Sequence, residues 1–139
     1  MYKHIVLAAD GSDHSFRAAW HAATLAALSR GCRVTLLFIP RPDEQRGEGL
    51  QKDRLAAVQM ERREKLSRHE ALFSEKEIPY TVAVKDGNPG PVIIKFANEQ
   101  QADLVILGSR GLNKLQQLVL GSVSHKVMKR ANCPVMIVK

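Results

Sequence analysis

"DLVILGSRGLNKLQQLVLGS", Asp103 to Ser122, holds three local signals in succession. An aliphatic run, 103 to 107, is too short for a helix and does not alternate with polar residues, so it reads as a strand buried on both faces. Gly108 and Gly111 punctuate the polar loop behind it. Gly121-Ser122 then opens a helical pattern from about 122 to 131, ended by Asn132 and Pro134. Strand, glycine loop and helix in that order make half of a parallel βα unit, and the fold depends on whether the rest of the chain repeats it.

It does. Four more strand-like runs occur at 4–9 ("HIVLAA"), 33–39 ("RVTLLFI"), 80–85 ("YTVAVK") and 134–138 ("PVMIV"). Helical patterns alternate with them. The first spans about 13–30 after Ser12 or Asp13 as N-cap, with Arg30 in its last turn, Gly31 beyond it and an apolar face of Phe16, Trp20, Ala23 and Ala27. The second, about 49–76, is highly charged, with a thinner stripe of Leu55, Val58, Leu66, His69 and Phe73. The third starts behind Gly87-Asn-Pro-Gly-Pro, where Pro91 suits a first helical turn, and runs to about 101. Asp86-Gly87 would ordinarily announce a hairpin, but helix follows it. The alternation predicts one α/β domain over 1–139, an open, doubly wound, Rossmann-like sheet of five parallel strands; the expected strand order is 3-2-1-4-5. The loop "PRPDEQRGEG", 40–49, is the one connection whose composition predicts mobility.

The chain has 139 residues, long enough for one buried core without disulfides. Cys32 and Cys133 have no Cys-x-x-Cys spacing, and with no signal peptide or long apolar segment a cytoplasmic, membrane-free setting is expected. The formal net charge is +7, and its distribution says more than its size. Residues 104–139 carry six basic and no acidic side chains, while 41–77 carry nine of each. An excess confined to the glycine-bearing quarter favours a local anion site over a broad nucleic-acid surface. Aromatic residues are only 5% and do not interleave with the basic ones, so base-stacking platforms are missing.

In a sheet of this order, ligands bind beyond the carboxyl ends of the strands where the strand order reverses. Asp10-Gly11-Ser12 follows strand one and Gly108 follows strand four, so both meet there if those strands are neighbours. Glycine at 108 and 111 allows positive φ and close approach of a ligand to the backbone. At Gly121-Ser122, free N–H groups and the positive helix end suit a phosphate. Neither Gly-x-x-x-x-Gly-Lys-Ser/Thr nor Gly-x-Gly-x-x-Gly is present, which removes the Walker loop and the usual dinucleotide fingerprint.

Gly108-x-x-Gly111, nine residues, then Gly121-Ser122 is similar to the Gly-2x-Gly-9x-Gly-Ser/Thr motif of the ATP-binding branch of the universal stress proteins. "IVLAADGSDHS" resembles that family's first strand and turn, "DGNPGPVIIKFANEQQADLVILGSRG" its central segment, and "CPVMIVK" its closing strand. The resemblance implies an ATP site, with Mg²⁺ as a companion. Asp10 would face the adenosine end or the metal, Ala8 would lie along the nucleotide, and the backbone of Ile39 would meet adenine. Gly108, Arg110, Gly111, Gly121, Ser122 and Val123 would surround ribose and phosphates. It also implies a homodimer through strand 134–138 and a regulatory role in a stress or energy response. Asn88 stands where the family more often has Asp, and Pro40-Arg41-Pro42 stiffens the exit from strand two.

Plainer roles compete for the same residues. The glycines could serve a tight turn, Asp10 could cap helix one, Arg110 could be an ordinary surface side chain, and Ile39 could simply pack. His14 and His21 are seven apart and could share a helix face, but no carboxylate or cysteine completes a metal set. A slow ATP hydrolase or phosphotransferase on the same site is the alternative function. It needs a base, and His125, the nearest candidate, is expected to face solvent.

Overall fold

The structure, a computed structural model, describes residues 2–41, 51–110 and 120–139. Its elements run β1 (His4–Ala9), α1 (Asp13–Leu28), β2 (Arg33–Phe38), α2 (Gln51–Glu75), β3 (Tyr80–Val84), α3 (Pro89–Glu99), β4 (Leu104–Gly108), α4 (Ser122–Arg130) and β5 (Val135–Val138). The strands form one parallel sheet in the order β3-β2-β1-β4-β5, as expected. The order reverses between β1 and β4, which places the crevice above Ala9 and Gly108.

Because successive side chains of a strand point to opposite faces, each strand feeds two cores. Ile5, Leu7 and Ala9, with Leu36, Phe38, Leu104 and Ile106, meet α1 and α2 on one face. Val6, Leu37, Val105 and Leu107 meet α3 and α4 on the other, through Ile93, Ala97 and Val127. The buried face of α1 is almost all alanine: Ala18, Ala19, Ala22, Ala23 and Ala26. Small side chains let this helix lie close to the sheet.

The apolar face expected for α1 is therefore rotated. Trp20 is 46% exposed and Ala27 is exposed, because short alanines rather than the large ring fit the narrow gap against the strands. The stripe of α2 also begins later than expected: Leu55 is 65% exposed, whereas Leu66, His69 and Phe73 are fully buried. At the helix starts, Ser12 rather than Asp13 caps α1, its Oγ accepting the Ser15 N–H at 3.1 Å. Helix α3 begins at Pro89, two residues before Pro91. The loop expected to be mobile lies outside the described residues from position 42 on.

At the opposite, amino-terminal rim, the Asp103 carboxylate accepts the amides of Lys3 and His4 at 2.9 Å each, tying β1 to β4. Those two amides hold its carboxyl below the usual range. Cys32 is buried and Cys133 half-buried, both as free thiols whose pKa burial pushes up. Among the described residues no helix is long and apolar enough to cross a membrane.

Candidate functional site

Three chain segments meet at the carboxyl rim: the β1–α1 turn, the exit of β4 and the start of α4. In the first, the Asp10 carboxylate accepts the Ser12 N–H at 2.9 Å while the Asp10 amide donates to Ser15 Oγ at 3.2 Å. Asp10 thus closes a turn and leaves the helix cap to Ser12. Gly11 adopts φ +86°, and a Cβ there would lie 2.8 Å from Lys65 Cβ, so glycine is required for both conformation and space.

The turn is clamped from above by α2. Arg68 donates to the Gly11 carbonyl at 3.2 Å and to Asp13 at 3.1 Å, and its guanidinium lies 4.5 Å from the Phe16 ring centroid. Lys65 pairs with Glu61 at 2.8 Å, and Glu61 also accepts the Arg41 N–H at 3.1 Å, just past the exit of β2. Burial raises the Glu61 pKa, but Lys65 and Arg41 outweigh it and hold the carboxyl below its ordinary value. His69, fully buried, shares a 2.9 Å hydrogen bond with Ser15 Oγ. Which of the two donates depends on the ring tautomer, because a serine oxygen can accept two bonds as well as donate one. The other ring nitrogen, Nδ1, has no partner among the described residues.

The exit of β4 is held by three neighbours. The Ser109 N–H donates to the Val138 carbonyl at 2.7 Å, its carbonyl accepts the Gly121 N–H at 2.9 Å, and its hydroxyl shares a 3.0 Å hydrogen bond with His14 Nδ1. The buried Ser124 hydroxyl donates to the Gly108 carbonyl at 2.8 Å and reaches the Ser109 carbonyl at 3.3 Å. Neither Gly108 nor Gly121 has positive φ, contrary to the sequence expectation for Gly108. Their role is close packing instead. A Cβ on Gly108 would lie 2.7 Å from His14 Cβ, and one on Gly121 would lie 2.9 Å from the Ser109 carbonyl oxygen.

Gly121 is the N-cap of α4 and provides no side-chain cap. The first intrahelical bond runs from the His125 N–H to the Gly121 carbonyl at 3.0 Å, so the amides of Ser122, Val123 and Ser124 precede the ladder. They present donors and the positive helix end to whatever lies above. Ser122 is exposed there. Ala8, Ile39 and Val123 are half-buried and pack against the same apolar cluster on the α3–α4 face. The structure thus brings Ala8, Asp10, Ile39, Gly108, Arg110, Gly121, Ser122 and Val123 to one rim; Gly111 lies outside the described residues.

Several contributors carry no sequence signal. His14 is buried against Gly108 while His21, two turns further along α1, is exposed, and among the described residues no three metal-ligating side chains cluster. His125 is exposed. The basic excess of 104–139 is more dispersed than expected: Lys129 and Arg130 sit in the last turn of α4, at its far end. Lys65 and Arg68 reach the rim from the charge-balanced helix α2, which composition had hidden. Gly121-x-x-Ser124, a small polar residue one turn into a helix, is the one pattern from which Ser124 could have been anticipated.

The whole chain, residues 1–139, matches the model of the universal stress protein family. A universal stress protein of Thermus aquaticus is 38% identical over 141 residues, covering all of both chains. A crystal structure of a universal stress protein in complex with cAMP superposes with a TM-score of 0.71 at 27% identity, covering 99% of this chain and 97% of that one. The universal stress protein from Archaeoglobus fulgidus in complex with dAMP gives 0.72 at 25% identity, with 99% and 98% covered. The uncapped helix end at the strand-order reversal and these full-length matches lead to one assignment: the chain belongs to the universal stress protein family.

Proposed function

We infer that this chain is a nucleotide-binding regulator whose ligand is ATP, held at the carboxyl rim by residues 1–139 acting as one domain. The observation that carries the reading is the start of α4: a glycine N-cap with no side-chain cap, at the point where strand order reverses. The cAMP and dAMP complexes of related proteins support an adenine nucleotide as the class of ligand. In this reading the amides of Ser122 and Val123 hold phosphate, and Ala8, Ile39 and Val123 form the apolar wall for base and sugar. Gly108 and Gly121 bring the chain segments together, with Arg110 and Gly111 at the loop between them.

The amides of Ser109 and Gly121 already donate to the Val138 and Ser109 carbonyls, so phosphate recognition falls to α4 more than to the β4 exit. Mg²⁺ fits as a companion of the phosphates. It keeps several waters and needs only one or two carboxylates from the protein, and Asp10 is the candidate. Bound there, the ion would neutralise phosphate charge. The Ser12 amide holds the Asp10 carboxylate at 2.9 Å.

The proposed assembly is a homodimer through β5, an edge strand whose outer side is unpaired within the sheet, and the proposed setting is cytoplasmic. Calorimetric titration with ATP and Mg²⁺ up to millimolar nucleotide tests the reading, with saturable binding and intact nucleotide after hours as the expected result. Absence of heat would refute the binding, and steady release of phosphate would move the chain to the hydrolase alternative.

A further inference from the structure

Ser124 has no place in the glycine motif, yet it is buried and its hydroxyl donates to the Gly108 carbonyl at 2.8 Å, with the Ser109 carbonyl at 3.3 Å. The Gly121 N–H takes the same Ser109 carbonyl at 2.9 Å. Two groups one turn apart on α4 therefore bind two successive acceptors at the end of β4. This matters electrostatically. A cradle for an anion works when donors face it and acceptors do not, because a carbonyl oxygen left without a partner beside a phosphate opposes the field of the helix end. Gly108 is also pressed against His14, so the β4 exit cannot retreat from α4 in that direction.

We propose that Ser124 is a positioning residue for phosphate recognition: through the Gly108 and Ser109 carbonyls it fixes the β4 exit against α4 and withdraws both acceptors from the anion held by the first turn. Ser124 touches neither base nor sugar in this scheme, and its effect is confined to the phosphate end. The proposal rests on the nucleotide reading above.

The test is calorimetry of wild type, Ser124→Ala and Ser124→Thr with ATP and, separately, with adenosine. Loss of the buried Ser124 hydroxyl is expected to weaken ATP binding by about tenfold in Ser124→Ala while adenosine binding stays within about twofold. Threonine, which retains the hydroxyl, restores ATP binding. Unchanged adenosine affinity also shows that the alanine variant is folded. Equal weakening of both ligands would mean that Ser124 only stabilises the fold, and unchanged ATP binding would mean that the carbonyl bonds are irrelevant; either result overturns the proposal. If wild type binds neither ligand, the nucleotide reading itself fails, and the proposal with it.

Discussion

A methyl group at position 108 would lie 2.7 Å from His14 Cβ and 3.0 Å from the His14 carbonyl carbon. The second contact is backbone, so relief requires α1 to move rather than a side chain to turn. Gly108→Ala is expected to destabilise the chain by about 1–3 kcal/mol, the usual cost of overpacking, measured as a lower urea midpoint at unchanged slope. Unchanged stability would show that the first turn of α1 is looser than its contacts with Gly108 and Ser109 imply. At this scale the sequence was legible as to position but not as to cause. The glycine spacing marked where backbones converge, but His14, which fills the space beside Gly108, stands 94 residues earlier and has no motif of its own. Ser124 was hard to read for a related reason, since its hydroxyl's partners are carbonyl groups and every residue has one.

Helix α2 shows what periodicity can and cannot supply. Its charged composition, with six basic and five acidic residues over 51–75, reads as a solvated face. The structure shows that Lys65, Arg68 and His69 instead grip the turn that carries Asp10. Which helix face meets that turn is a tertiary fact, and the same limitation misplaced Trp20 on the inner face of α1.

His69 gives this helix pairing a pH dependence. Burial, aided by the Arg68 charge, lowers its pKa to about 4, while Asp10 and Glu70 act in the opposite direction. The folded chain therefore holds the ring neutral where the unfolded chain, with an ordinary pKa near 6.5, binds a proton. Stability contributed this way is intact above about pH 6.5 and falls as the pH drops towards 4, by about 3 kcal/mol in total. Urea unfolding at pH 7 and pH 4.5 should show most of that loss, and His69→Leu should flatten the profile between the two values. A wild-type profile that is flat from pH 7 to 4.5 would contradict the buried neutral ring. His4, whose pKa burial and Arg33 also lower, contributes in the same direction, so the variant separates the two.

For the whole molecule, the parallel sheet and both helix layers were readable from the alternation of five strands with four helices, although the edge strands β3 and β5 are only partly buried. The proposed homodimer depends on β5. The Val105 and Ser109 amides donate to the Pro134 and Val138 carbonyls, so by alternation Val135 and Ile137 turn their backbone groups to the free edge. Ile137→Pro removes an outward N–H and no ladder bond, a substitution that edge strands tolerate. Light scattering is expected to give twice the 15.5 kDa chain mass for wild type and the single mass for the variant. A wild-type monomer would refute the dimer and leave the nucleotide site untouched, because none of its residues lies on β5.

The central claim is that adenine nucleotide rests on the first turn of α4 at the reversal of strand order. An amide-resolved NMR titration with ATP addresses it residue by residue. The account predicts saturable shifts centred on Ser122 and Val123, extending to Ala8 and Ile39, with the opposite rim at Asp103 unmoved. Saturable shifts centred anywhere else, or none at millimolar ATP, would contradict it.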